Sequence, residues 1–560
     1  MRLINVHTGQ LEEPKGPPPY AILSHTWGDS EVSFRDLNHP DVESRPQYAK
    51  IRHSRRLAAS RNLDYVWIDT CCIDKSSSAE LSEAINSMFE WYKNAEVCFA
   101  HIEDLPSGGD TCTEGELGRC RWFTRGWTLQ ELIAPKEVRF YDQNWEDRGT
   151  KQSLRDMVSH VTGIRKDILL GAARLDDISV SERMSWAAHR NTTRREDIAY
   201  SLLGIFDVNM PLIYGEGGKA FIRLQEEIIK RTNDLSLFAW DARDITEPYC
   251  GILADSPARF HDSSRELSRI SWAQSVSDFA MTNNGLRMTV QLWVPYQPQR
   301  CQTSFPGYFL CLNQWRQNGH QYRRDRAVGL FLAKVGRGRF VRISHTSLTP
   351  RLGEPQLSDE KYKLQTIYIA ASYWPRTAAL GVCESARIQV HFRLPEIFNI
   401  TCVAPSASWD AFNRLFFFDS GVSGCSGIAC VSGVIEDEGG KGKIFIRFGV
   451  TLEENSTLTG LRWVCWMFKW DSDDLDAFFQ ENPAILTRDV WAARAPVLPF
   501  RRGRVECLFY DLWSYKLRIS VSISEHVMPS ISSEPIPTII IEASTWKPTL
   551  SETEEWTPIC

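Results

Sequence analysis

The sequence predicts an α/β fold, an open parallel sheet flanked by helices, with a helical extension and then a β-rich domain. Three textures along the 560 residues carry this. Up to about residue 150, short apolar runs alternate with helix-patterned stretches, as in a parallel sheet with crossover helices. From 151 to 240 apolar residues recur at helical spacing, and from 241 to 560 the period drops to two. The expected domains are therefore an α/β core over 1–150, a helical extension over 151–240 and a β-rich accessory domain over 241–560.

Each element has its own warrant. Tyr20-Ala21-Ile22-Leu23-Ser24 reads as a buried strand that runs into the loop His25-Thr26-Trp27-Gly28-Asp29. A basic helix is expected over 47–61, carrying Lys50, Arg52, Arg55, Arg56 and Arg61 as a solvated face. Tyr65-Val66-Trp67-Ile68-Asp69 is a continuous apolar strand of the parallel-sheet kind. Ser77 and Glu80 have capping-box spacing and open a helix with Leu81, Ile85, Met88 and Tyr92 on one face. Further strands are expected over 96–102 and 138–141, with a helix over 122–133 between them. Helices over 194–206 and 219–230 flank a loop at 209–215. In the last domain, 387–394 and 517–523 alternate cleanly, 327–333 and 443–448 are further strands, and Glu438-Gly439-Gly440 marks a turn.

Composition narrows the function classes. Hydrophobic residues at 43% and charged residues at 24% describe an ordinary globular chain of two or three domains. The net charge of −6 argues against a nucleic-acid binder, which needs a basic face. Twenty Trp point to large aromatic cores with partly buried indoles at their rims. Met1 to Gln10 lacks a signal-peptide core, and no apolar run approaches bilayer length, so a soluble cytoplasmic protein is expected. Fifteen scattered Cys read as reduced thiols. Cys71/Cys72, Cys112/Cys120 and Cys425/Cys430 lack zinc-finger or thioredoxin spacing, so neither metal nor cofactor is expected. Gly215-Glu216-Gly217-Gly218-Lys219-Ala220 is not a phosphate loop: no strand leads into it, and Ala220 stands where a magnesium-binding hydroxyl belongs.

Several blocks resemble the fungal heterokaryon-incompatibility (HET) domain. They are Tyr20 to Gly28, Trp67-Ile-Asp-Thr-Cys-Cys-Ile-Asp74 and Arg125-Gly-Trp-Thr-Leu-Gln-Glu-Leu132, with supporting matches at Met1 to Asn5, Arg195 to Phe206 and Met210 to Gly217. The resemblance implies a self/non-self recognition factor that triggers cell death when unlike strains fuse. A second resemblance is to TIR domains, through Leu23-Ser24-His25-Thr26-Trp27-Gly28-Asp29 and Trp127-Thr128-Leu129-Gln130-Glu131-Leu132 followed by Val138 to Tyr141. Thr128 replaces the Cys of the TIR pattern but leaves the Trp-to-Glu spacing intact. It implies a TIR/flavodoxin-like sheet and, since NAD-cleaving TIR domains use that helical Glu, a catalytic position at Glu131. NAD would then be substrate, not cofactor. The implied partners are further copies of the chain or other cell-death signalling proteins.

Chemistry makes these residues candidates, each beside a plainer role. A carboxylate against the anomeric carbon of NAD stabilises the ribosyl cation, and nicotinamide leaves without a strong acid. Trp127 and Glu131 lie four apart, on one helix face; a core Trp beside a surface Glu has the same spacing. Asp69, at a strand's C-terminal end, either orients a ribose hydroxyl or caps the Thr70-Cys71-Cys72 turn. Ser24, His25 and Trp27 either contact ligand or form a turn with Trp27 in the core. Cys71 or Cys72 as nucleophile needs a base such as His25 or His101; buried inert thiols are the alternative. The enzyme and a non-catalytic adaptor acting through homotypic contacts are the two functional classes left open.

Overall fold

The computed structural model describes residues 1–261 apart from 17, 29 and 108–112, then 278–290, 292, 307–312, 328–336, 338–344 and 365–371, and beyond these the strands between Gln389 and Trp546. The first sheet has seven strands: β1 (Leu3–Asn5), β2 (Leu11–Glu12), β3 (Tyr20–His25), β4 (Tyr65–Trp67), β5 (Val97–His101), β6 (Val138–Tyr141) and β7 (Asp147–Thr150), in the order β2-β1-β4-β3-β5-β6-β7. The four strands expected from sequence form its parallel centre, β4-β3-β5-β6. They are predominantly apolar because both faces are covered; every residue of β3 and β5 is buried. The antiparallel β1, β2 and β7 were not anticipated, because runs of two to four residues are too short to show a period.

Helices α1 (Tyr48–Ser60), α2 (Asp69–Cys72) and α3 (Ser78–Asn94) follow β3 and β4. Ser77 caps α3 by accepting from the Glu80 amide, but the Glu80 carboxylate accepts from the Asp74 amide instead of closing the box. The basic run is only partly a solvated face. Lys50 reaches Glu31 and the β3 loop, Arg55 donates to the Val6 and His7 carbonyls, and Arg61 pairs with Glu137.

Between β5 and β6 lie α4 (Glu114–Arg119), α5 (Arg121–Thr124) and α6 (Thr128–Ile133), so the helix expected over 122–133 is broken. Arg125 is extended and forms a parallel bridge with Asn191, whose carbonyl accepts from the Gly126 amide at 2.9 Å. A Cβ at Gly126 would meet Thr192 Cγ2 at 2.5 Å. Gly126→Ala is therefore expected to destabilise the protein by about 1–3 kcal/mol, measured as a lower urea midpoint; an unchanged midpoint would mean that the bridge yields freely.

The helical region contains α7 (Arg155–Thr162), α8 (Lys166–Leu169), α9 (Val180–Ser185), α10 (Asp197–Tyr200) and α11 (Lys219–Ile229). Only the four residues of α10 are α-helical within the stretch expected over 194–206; the rest turns without continuing the ladder. The β-rich region follows, with sheets of seven, six and five strands among the described residues. The expected alternating strands fall in Gly329–Gly336, Gln389–Arg393, Lys443–Leu452 and Tyr515–His526. Ala327, Arg387, Ile388 and Leu394, and the turn at Glu438-Gly439-Gly440, lie outside the described residues, as do Asp29 and Cys112. No described helix is long and apolar enough to cross a membrane.

Contacts cross the boundary expected after residue 240. The Trp240 indole donates to the Ile252 carbonyl at 2.8 Å, and Gln225 exchanges two hydrogen bonds with the Ala254 backbone. One buried cluster runs from Leu3 to Ile369.

Candidate functional site

The parallel strands run second, first, third, fourth across the sheet, so the connections leave β3 in opposite directions. In open α/β sheets, ligands bind at the strands' C-terminal ends, at that reversal. Here this is the end of β3 beside β5, where Ser24 and His25 pair with Ala100 and His101. Successive side chains of a strand point to opposite faces, so Ser24 and His25 belong to different clusters.

Ser24 faces α3 and α6. Its hydroxyl accepts from the Trp122 indole at 2.8 Å and donates to Glu131 Oε2 at 2.5 Å. The Tyr92 hydroxyl lies beside the same carboxyl and donates to the Leu23 carbonyl at 3.1 Å. Burial is the main cause that pushes the Glu131 carboxyl up to about 8, with Asp69 adding to it and Ser24, Arg125 and Tyr92 opposing. Glu131 is 8% exposed, so it is not the exposed helix Glu of the plainer reading. Arg190, buried nearby, donates to the Arg125 carbonyl and to Thr128, and burial lowers its guanidinium to about 10 against the pull of Glu131.

His25 faces α1. Lys50 donates to its Nδ1 at 3.2 Å, which leaves Nε2–H to donate to Asp69 Oδ1 at 3.1 Å. Asp69 Oδ2 accepts from the Trp27 indole at 2.8 Å, and Lys75 lies 3.6 Å over the Trp27 ring. Burial works to raise the Asp69 carboxyl, but His25, Lys75 and Trp27 outweigh it and hold it below its usual range. Asp69 begins α2 after the strand has ended at Trp67, and neither oxygen caps the Thr70-Cys71-Cys72 turn. Trp27 is 42% exposed, so it is not a core residue. Beside His25, His101 stacks on Trp145. Burial first, then Lys50 and His25, lowers it to about 3.

The structure thus brings Ser24 to Glu131 and joins His25, Trp27 and Asp69 in a second group, while Trp127 belongs to neither. The Trp127 indole hydrogen-bonds Asp197 of α10, in the helical region. Trp122, Tyr92 and Arg190 escaped the sequence reading, although Tyr92 was assigned to a core face. Cys71 and Cys72 are buried and His25 is engaged elsewhere; the adjacent Cys72 thiol and burial raise the Cys71 thiol well above its usual range. Neither cysteine has the microenvironment of a nucleophile. No described cluster of His, Cys, Asp and Glu is arranged to hold a metal. In the Gly215–Ala220 loop, the Gly215 and Gly217 amides donate to the Glu196 carboxylate at 2.8 and 2.9 Å, an internal anion.

An elevated carboxyl pKa is also a statement about stability. The folded chain holds a proton on Glu131 that the unfolded chain releases near 4.5. This contribution is fully present below that value and is lost as pH rises through about 8. At about 1.4 kcal/mol per pKa unit, the loss is on the order of a few kcal/mol. Denaturant midpoints from pH 5 to 8 should fall in the parent and fall less steeply in Glu131→Gln. Parallel curves would show that Glu131 does not carry that proton.

A parallel-centred α/β domain with a buried glutamic acid, Glu131, and a separate Asp69–His25–Trp27 group at its strand ends is the class that fold and site define. Within it, residues 20–111 match the family model described as heterokaryon incompatibility protein (HET), and the chain carries a HET domain. Residues 219–291 match a domain of unknown function, DUF8212. Vegetative incompatibility protein HET-E-1 of Podospora anserina is 51% identical over 221 residues, which cover 38% of this chain and 16% of that protein. No solved structure matches.

Proposed function

We propose that this chain acts in vegetative incompatibility, and that its α/β domain drives cell death by hydrolysing NAD to nicotinamide and ADP-ribose. The single observation behind the chemistry is Glu131, held by Ser24 at the C-terminal end of the first parallel strand. The second-first-third-fourth strand order supports a TIR/flavodoxin-like reading of the domain. The geometry supports the following roles. Ionised Glu131 faces the anomeric carbon as the bond to the cationic nicotinamide breaks, water adds at that carbon, and one proton is released. Ser24 orients the carboxylate, and Trp122 orients Ser24. The Trp27–Asp69–His25 group forms the rim on which the rest of the dinucleotide rests.

Because Glu131 is neutral below about 8 in the free protein, nicotinamide release per NAD at low substrate should rise with pH toward that value. A flat profile from pH 6 to 9 would remove Glu131 as the titrating group. The first test is incubation of the purified chain with NAD and assay of nicotinamide. A second reading has its own observation: Glu131 is nearly fully buried, and its contacts are made within the protein. That favours an adaptor acting through homotypic assembly with Glu131 as a structural group. Cell death without nicotinamide release selects it.

A further inference from the structure

An open cleft of about 270 Å³ lies beside the break between α5 and α6, lined by the polar residues Arg121, Thr124, Arg125, Asn191, Thr192 and Thr193. Its lining holds two guanidiniums, three hydroxyls and an amide, with no carboxylate among them. Several other arginines are paired: Arg61 and Arg139 with Glu137, and Arg223 with Glu216. Among the described residues, the Arg121 and Arg125 side chains make neither a hydrogen bond nor an ion pair, although the Arg125 charge is felt by Glu131.

The walls are built to hold this shape. The Asn191 amide donates to the Thr124 carbonyl at 2.7 Å and the Gly126 amide to the Asn191 carbonyl at 2.9 Å. Arg190, next in sequence to Asn191 and 6% exposed, fixes the Arg125 carbonyl at 2.8 Å. One terminal nitrogen of Arg190 has no partner, so a third, partly unsatisfied cation adjoins the cleft. The nearest carboxyls are Glu131, which acts on Arg125 and Arg190 but is pushed up to about 8, and Asp104, which accepts from the Arg121 amide at 2.8 Å and leaves the guanidinium unpaired; a bound anion would offset the clustered charge.

We propose that this cleft binds the pyrophosphate of a small nucleotide. A guanidinium fork matches two phosphate oxygens, and two such forks, on residues four apart, suit two linked phosphates better than one. The hydroxyls of Thr124, Thr192 and Thr193 and the Asn191 amide supply the remaining donors. These side chains are separate from the Ser24–Glu131 pair, so the site stands whether or not NAD is hydrolysed.

The test is calorimetric titration of the full chain, at constant ionic strength, with orthophosphate, inorganic pyrophosphate and ADP-ribose. Saturable binding is expected, pyrophosphate tighter than orthophosphate and ADP-ribose tighter still. Arg125→Gln should weaken pyrophosphate binding by about tenfold or more, the loss of one charged hydrogen-bonding partner. Arg121→Gln with Arg125→Gln should abolish it, and Arg125→Lys should fall between. Arg119→Gln, exposed on α4, should bind as the parent does. Thermal unfolding checks that each variant is folded, and Arg125→Lys serves if the double variant is not. No saturable binding, or equal binding by the parent and folded double variant, overturns the site. Equal affinity for pyrophosphate and ADP-ribose overturns the nucleotide.

Discussion

Glu131→Gln should leave a folded protein that releases nicotinamide roughly 10²–10³-fold more slowly, the usual penalty for losing one pre-organised electrostatic partner. The amide keeps the size of the protonated acid, accepts from Ser24 as Oε2 does now, and can donate to the Tyr92 oxygen. What it lacks is the charge that opposes the ribosyl cation. That charge matters mainly in the transition state, so kcat should fall more than KM rises. Glu131→Asp, one methylene shorter, should also be strongly impaired, and Ser24→Ala less so. The comparison belongs with an exposed carboxylate free of partners. Glu137 is unsuitable because Arg61 and Arg139 hold it, whereas Glu83 is exposed on α3, and Glu83→Gln should match the parent. Host viability should follow nicotinamide release. If folded Glu131→Gln kills cells as the parent does, death does not run through a Glu131-dependent hydrolase, and the adaptor reading stands.

Arg342→Ala should lower stability by a few kcal/mol, about 1–3 kcal/mol for each buried carbonyl left unsatisfied. The Arg342 side chain is 1% exposed and comes from the β-rich region, yet it donates to the Phe238 carbonyl at 3.2 Å and the Trp240 carbonyl at 2.5 Å. Its guanidinium lies 3.8 Å over the Trp240 ring. Truncation leaves two buried carbonyls unpaired and a cavity beside the indole. Arg342→Lys should rescue little, because an ammonium cannot span both carbonyls in the fixed plane of a guanidinium. The same contacts bear on fragments. A chain ending at Trp240 loses Arg342, the Ile252 carbonyl and the Ala254 partner of Gln225, so it should aggregate more readily than the full chain. Its toxicity therefore has to be tested beside a longer fragment that retains the first strand-rich sheet. A denaturant midpoint for Arg342→Ala equal to the parent's would show that the two regions are not fastened there.

What the sequence determined by itself is local. Apolar runs of four to seven residues placed the four parallel strands within a residue or two, and the spacing of Ile85, Met88 and Tyr92 placed the buried face of α3. Ser24, His25, Asp69 and Glu131 were legible as candidates because they sit at motif positions near strand or helix ends. Only the tertiary structure decided how they combine. Ser24 and Glu131 are 107 residues apart in sequence, and the pleat alone sends Ser24 toward α6 and His25 toward α1. Trp127 leaves the group because the extended Arg125 breaks the helix and the indole meets Asp197. The protonation of Glu131 is likewise invisible in a pattern of residues. It is set by loss of water around the carboxyl, and that depends on Trp122, Tyr92 and Arg190 converging from three separate stretches of chain.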